Sequence, residues 1–148
     1  MLPIAVPLLV AIIAQVLCQL FKVFAYSIRD RRLDLGYFTR SGGMPSAHSA
    51  FVTSLTVAVG ITEGLDSALF AVSFVFSTIV IYDAYRLRGH VERQAEVLNR
   101  VQQRIRPGER IQLSEMVGHS VSEILAGIAF GAVFSVLVTA AFGATGLG

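Results

Sequence analysis

Cysteine is nearly absent from this chain. Cys18 stands alone among 148 residues, which excludes an intrachain disulfide and a multi-cysteine metal site. Charge is scarce as well: charged residues make up 15% of the sequence against 54% hydrophobic, too apolar for an ordinary soluble domain. Basic residues are missing from most of the length. All twelve Lys and Arg fall within 22–40 and 86–110, and the formal charge is only +2. No nucleic-acid motif accompanies them, so nucleic acid is not an expected partner. A juxtamembrane face beside anionic lipid headgroups is the natural reading. The opening Met1-Leu2-Pro3-Ile4 lacks the basic flank of a secretory signal, so a retained span is expected there. With no internal repeat and no second domain in view, residues 1–148 read as one membrane-embedded domain.

What is present is apolar helix. Hydropathy and spacing predict an all-α integral membrane bundle with about four main spans, over 3–28, 45–61, 67–82 and about 114–142. A polar segment at 91–112 precedes the last span. Within it Val91, Ala95, Leu98, Val101 and Ile105 recur near helical spacing, which predicts an interfacial amphipathic helix. Connections 29–44 and 83–113 then share one side and carry the basic residues, and the 62–66 turn on the other side carries only acids. The positive-inside rule places the basic side in the cytoplasm, in a plasma (inner) membrane.

Several polar features meet at that basic edge. Along the first span Gln15, Gln19, Lys22, Tyr26 and Arg29 follow at steps of four, three, four and three, a single stripe that reads as a pocket wall. The string Gly42-Gly43-Met44-Pro45-Ser46-Ala47-His48-Ser49-Ala50 opens the second span. First-turn amides there favour a bound anion, and a histidine beside them can give a proton to a phosphate oxygen. Asp83, Arg86, Arg88 and His90 close the third span, with His90 read as interfacial. His119, Glu123, Gly127 and Gly131 form an i, i+4 row at the fourth, so a glycine face for close packing continues the line of the polar pair. Ionisable groups gathered at one membrane level from four helix ends are a functional-site hypothesis by default.

The residue types suit phosphate chemistry. A carboxylate four residues after His119 can take its Nδ1–H, fix the tautomer and leave the other nitrogen to attack. Lys22, Arg29 and an arginine at 86 or 88 would neutralise phosphate oxygens, with amides near Ser46, Ala47 and His48 adding donors. His48 would protonate the leaving oxygen.

In order and spacing the chain resembles the type-2 phosphatidic acid phosphatase and vanadium haloperoxidase superfamily, whose signature is K-x6-R-P, P-S-G-H and S-R-x5-H-x3-D. Lys22 and Arg29 match the first element, with Asp30 in place of proline. Pro45-Ser46-Ala47-His48 matches the second with alanine for glycine, and His119 and Glu123 match the end of the third with glutamate for aspartate. The Ser-Arg pair falls on Gln112-Leu113, so that arginine is missing, and Arg110, Arg86 or Arg88 would have to replace it. With four spans, and with the strings D-A-x-R-x-R-x-H at 83–90 and Q-A-x-x-L-N at 94–99, the chain resembles a small divergent branch of that superfamily. The resemblance implies a helical bundle, His119 as nucleophile, Glu123 as its orienter, His48 as leaving-group acid and no metal requirement.

The function expected is hydrolysis of a lipid phosphate monoester or pyrophosphate through a phosphohistidine, on phosphatidic acid, phosphatidylglycerol phosphate or polyprenyl phosphate. A non-catalytic module binding anionic headgroups or phosphate is the alternative. No cofactor is expected. Asp30, Asp34 and Asp83 are weak metal candidates: were three acids to converge, Mg²⁺ would supply the charge of the missing arginine. Four short helices around one site are also compatible with a homo-oligomer.

Overall fold

In the computed structural model, residues 5–38, 43–105, 113 and 118–144 are described. Among them the chain is helical throughout, without a strand: α1 (Ala5–Arg29), a short 3-10 turn (Leu35–Phe38), α2 (Ala47–Glu63), α3 (Ala68–Tyr85), α4 (Leu87–Ile105) and α5 (Val121–Ala144). Among the described residues three stretches are long and apolar enough to cross a membrane: Val6–Arg29, the part of Ala68–Ile105 that holds α3, and Val121–Phe142. The fourth helix of the bundle, α2, has 17 residues and lies at the centre, packed by α1, α3 and α5. Large side chains such as Phe24, Phe76, Ile79 and Leu137 are exposed around the outside. So much outward-facing apolar surface belongs in lipid. The protein is a helical integral membrane bundle.

α2 can sit in the middle because its residues are small. Ala47, Ser49, Ala50, Ser54 and Ala58 are all at most 1% exposed, so three neighbours approach closely at once. On one flank α5 presents glycines: a Cβ on Gly127 would run into the Ser46 carbonyl, and one on Gly131 into Ala50. Further along, Ser135 Oγ donates to the Ser54 carbonyl at 3.0 Å. Toward α3, Thr56 Oγ1 and Ser77 Oγ lie 2.6 Å apart, and Ser77 Oγ donates to the Val52 carbonyl at 2.9 Å. Toward α1, Val6 and Val10 pack on Ala58 with Phe134 and Val138, while Cys18 packs on Ala47 and Ala50 with Phe130. The start of α1 therefore meets the ends of α2 and α5. An up-and-down bundle results, with the end of α1 and the starts of α2 and α5 at one edge.

Helix boundaries depart from the sequence reading in three places. α2 starts at Ala47, with Ser46 as its N-cap accepting the Ser49 N–H at 3.4 Å, so Pro45 lies before the cap and not in the first turn. α4 starts at Leu87, with only Arg86 between it and the end of α3: Arg86 keeps helical dihedrals and donates its N–H to the Tyr82 carbonyl, so the polar string at 83–90 passes from one helix into the next. α5 starts at Val121 and not near 114, because Ser120 caps it. His119 thus precedes the helix that carries Glu123. Residues 106–112 and 114–117, with Arg110 and Gln112 among them, lie outside the described residues.

Candidate functional site

The site starts from a helix cap. Ser120-Val121-Ser122-Glu123 has the S-x-x-E pattern of a capping box, in which a cap hydroxyl and a glutamate three residues later each satisfy an orphan amide. Ser120 Oγ accepts the Glu123 N–H at 3.3 Å, and Glu123 Oε2 accepts the Ser120 N–H at 3.1 Å. The same Oε2 lies 3.1 Å from His119 Nδ1. With Nδ1–H donated to the carboxylate, the imidazole is the tautomer whose Nε2 carries the lone pair. His119 is 6% exposed, and its ring has little freedom to leave that orientation.

Opposite this pair stands Lys22, at 3% exposure the most buried cation among the described residues and within electrostatic reach of Glu123. An ammonium at such depth is costly unless acids or hydrogen-bond acceptors face it. The stripe predicted on α1 divides here. Lys22 is buried, Gln15, Gln19 and Tyr26 are half-buried, and Gln19 Oε1 is sealed from solvent without a hydrogen-bond partner. Arg29 turns outward. Its guanidinium lies 4.7 Å above the Tyr26 ring and its Nε pairs with Asp30 at 3.1 Å.

The start of α2 is welded to the start of α5: the Ser46 N–H donates to the Glu123 carbonyl at 2.9 Å. Ser46 is fully buried and its hydroxyl accepts from Ser49 Oγ at 3.0 Å, so its own polar atoms are committed to the cap. Ala47 is buried beside it, and His48, half-buried, occupies the first turn. The approach to this turn is anchored on α1, where the Met44 N–H donates to Tyr26 Oη at 3.4 Å. Gly43 has φ +82° and lies against the Tyr26 ring, a position that only glycine fills without strain. The Met44–Pro45 peptide is cis.

The remaining candidates are spread along the same edge. Asp83 is half-buried in the last turn of α3, Arg86 is exposed at its C-cap, and the Arg88 side chain lies outside the described residues. Asp30 accepts from Tyr37 Oη and pairs with Arg29, and Asp34 accepts the Gly36 N–H at 2.9 Å. Among the described residues no three of His, Cys, Asp and Glu are grouped to hold a metal ion.

The sequence reading gave no role to Ser120 or Glu92, which touch the backbone beside His119, nor to Asn99, which it took only as the end of the Q-A-x-x-L-N string. The signal for Ser120 was in plain view as S-x-x-E, hidden by extending the helix back to 114. Asn99 is 7% exposed and brackets the backbone of Leu113, its Nδ2 donating to the carbonyl and its Oδ1 accepting the N–H, both at 3.0 Å. Glu92 Oε2 accepts the Gly118 N–H at 3.1 Å.

Beside the site an apolar groove of about 530 Å³ runs between α1 and α5. Phe21, Ala25, Ala126 and Phe130 line its walls, with Pro45 and Arg29 at its rim.

Comparison with known proteins agrees with this architecture. The chain is 35% identical over 147 residues to the uncharacterized membrane protein YuiD of Bacillus subtilis (strain 168), covering 90% of each chain. No solved structure matches. The sequence profile described as the Divergent PAP2 family matches residues 5–134, a range that contains α1 to α4, the His119–Glu123 pair and the glycine face of α5. A histidine and a glutamate held at the edge of an antiparallel membrane bundle are thus features of a chain that belongs to the Divergent PAP2 family.

Proposed function

We propose that this protein is a membrane phosphatase that hydrolyses a lipid phosphate monoester or pyrophosphate through a phosphohistidine. The observation that carries the reading is the buried His119 Nδ1 to Glu123 Oε2 contact at 3.1 Å, with Lys22 in electrostatic reach. A carboxylate that holds Nδ1–H directs the Nε2 lone pair outward as a nucleophile. Nε2 attacks phosphorus, the bond from phosphorus to the lipid oxygen breaks, and His48 gives its proton to the departing oxygen. Water then gives a proton to the neutral His48 as it attacks the phosphohistidine, the bond from phosphorus to Nε2 breaks, and inorganic phosphate leaves with both histidines restored. Lys22 supplies buried positive charge to the phosphoryl oxygens, where a low dielectric makes it most effective.

Substrate geometry follows from the groove. A tail of phosphatidic acid, phosphatidylglycerol phosphate or polyprenyl phosphate would lie against Phe21 and Phe130, with the headgroup at the edge where Arg29 and the start of α2 meet. Arg29 would exchange Asp30 for a phosphate oxygen on binding, and Ala47, Arg86 and Arg88 would contribute from the same edge. The clustered basic residues favour the cytoplasmic side of a plasma (inner) membrane.

The deciding experiment is phosphate release by purified protein in mixed micelles across a panel of lipid phosphates, with and without EDTA, and with His119→Ala as control. Release that survives EDTA and is lost in the variant is the expected result. Loss in EDTA with recovery in Mg²⁺ would bring a metal into the mechanism. Equal silence of wild type and variant with headgroup binding intact would replace the phosphatase by a lipid-binding module, the reading that the missing third-motif arginine at Leu113 favours.

A further inference from the structure

The amide N–H groups on either side of His119 are each held by a carboxylate. After it, the Ser120 N–H goes to Glu123 Oε2 at 3.1 Å; before it, the Gly118 N–H goes to Glu92 Oε2 at 3.1 Å. Glu123 belongs to the helix that follows, whereas Glu92 comes from α4, 26 residues earlier. Gly118 is fitted to that seat: a Cβ there would lie 2.5 Å from Glu92 Oε2 and 3.1 Å from the Gly89 Cα. Seven residues along α4 from Glu92, two helical turns and so on the same face, Asn99 brackets both backbone groups of Leu113 at 3.0 Å. The Q-A-x-x-L-N string at 94–99 therefore acquires a task, since its asparagine holds Leu113, six positions before His119.

Otherwise α4 packs against α3 alone among the described helices. Glu92 and Asn99 on it hold Gly118 and Leu113.

We propose that Glu92 is a positioning residue for His119, with Asn99 as an outer clamp on the same segment. A side chain can be turned correctly by Glu123 and still be misplaced if the peptide before it drifts, and a shift of about 1 Å at a reacting group costs on the order of a hundredfold in rate. Glu92 fixes that peptide. The consequence for turnover rests on the phosphatase reading above; the positioning itself does not.

The test uses the full-length protein in nanodiscs, comparing wild type, Glu92→Ala and Glu92→Gln by hydrogen exchange and by ¹⁵N-histidine NMR. Glu92→Ala is expected to speed amide exchange at 118–120 by at least about tenfold and to weaken the His119 Nδ1–H signal, leaving exchange in α2 and α5 unchanged. Glu92→Gln keeps a carbonyl acceptor for the Gly118 N–H and is expected to restore both. Where phosphate release is measurable, Glu92→Ala should lower kcat at least about tenfold with KM little changed.

Unchanged exchange and an unchanged His119 signal in Glu92→Ala overturn the proposal. So does exchange that rises across α2 and α5 together, which would make Glu92 a support of the whole fold. Asn99→Asp is the second variant should Glu92→Ala fail to fold. It retains an acceptor for the Leu113 N–H but sets a carboxylate against the Leu113 carbonyl. It should speed exchange at Leu113 and at 118–120, and unaltered exchange there overturns the proposal equally. A wild type silent on every lipid phosphate would defeat the phosphatase reading and leave the exchange and NMR results to decide this one.

Discussion

The backbone N–H of Ser46 donates to the backbone carbonyl of Glu123 across 2.9 Å, joining the start of α2 to the first turn of α5. Seventy-seven positions apart in the chain (123 less 46), the second and third motifs are thereby fixed to one another through main-chain atoms. Apart from proline at 46, which would remove the donor N–H, no substitution removes that bond directly. What can disturb it is anything that pushes the two helices apart.

Gly127→Ala is such a wedge. Its Cβ would meet the Ser46 carbonyl, which is backbone and cannot rotate aside. Overpacking of a tight contact costs about 1–3 kcal/mol, so the variant should show a lowered thermal midpoint in nanodiscs. It should also lose a larger share of any phosphate release than Gly131→Ala, whose Cβ meets Ala50 one turn further from Glu123. Equal loss from both would mean that the joint between α2 and α5 does not govern the site.

Glu123 serves His119 and the Ser120 cap with one oxygen. Glu123→Gln keeps an oxygen acceptor and loses the charge that balances an imidazolium, so stability should fall little while, on the phosphatase reading, phosphate release falls by about a hundredfold or more. Glu123→Ala loses the cap half as well and should cost a further ~1 kcal/mol of helix stability. Thermal unfolding and single-turnover release, measured on both variants, separate the two contributions. Similar turnover in Glu123→Gln and wild type would remove the carboxylate from the mechanism.

How much of this was legible in the sequence depends on whether the signal was local. The small residues of α2 and the glycine row on α5 follow from i, i+3 and i, i+4 spacing, and the structure has those contacts. The same spacing pointed to His119 and Glu123, but they meet because Glu123 reaches back over the cap at Ser120 and not along one helix. The start of α5 was misread because apolar and polar residues from 114 onward fit a helical period as well as a cap does. Only the capping box at Ser120 distinguishes the two. The outward turn of Arg29 was invisible for another reason. Helical spacing places its Cα on the stripe, but a long side chain at a helix end goes to its best partner, and Asp30 is adjacent. Glu92 and Asn99 lie 26 and 14 residues from the backbone they hold, distances at which no periodicity speaks.

The connection after α1 should be acid-sensitive. The Tyr37 hydroxyl, and then Arg29, hold the Asp30 carboxyl below its ordinary value of 3.8. A carboxylate whose folded-state pKa is depressed contributes stability above its unfolded value, and that contribution is lost as pH falls through the folded value. Protection of the amides across residues 30–38, read against the intrinsic exchange rate at each pH, should thus be constant near neutrality and fall only when the pH drops below about 3.8. Asp30→Asn removes the titrating group, and its exchange in this segment should no longer carry that step. A step unchanged in Asp30→Asn would assign the acid sensitivity to another carboxyl.

Orientation is testable with the protein's own scarcity of cysteine. Cys18 is the sole native thiol and is 1% exposed, so it gives little background to a membrane-impermeant maleimide. Arg31→Cys and Arg104→Cys place exposed thiols after α1 and near the end of α4, while Asp66→Cys lies in the turn between α2 and α3. In an up-and-down bundle the first and third of these must label from opposite sides. Arg31 and Arg104 belong to the two basic stretches, so both should be protected in intact cells and label only after the membrane is opened. Asp66→Cys should label in intact cells. Labelling of Arg31→Cys and Arg104→Cys from outside would invert the protein and put the His119 edge on the external face. Labelling of Arg31→Cys and Asp66→Cys from one side would break the antiparallel pairing of α1 and α2 on which the site is built.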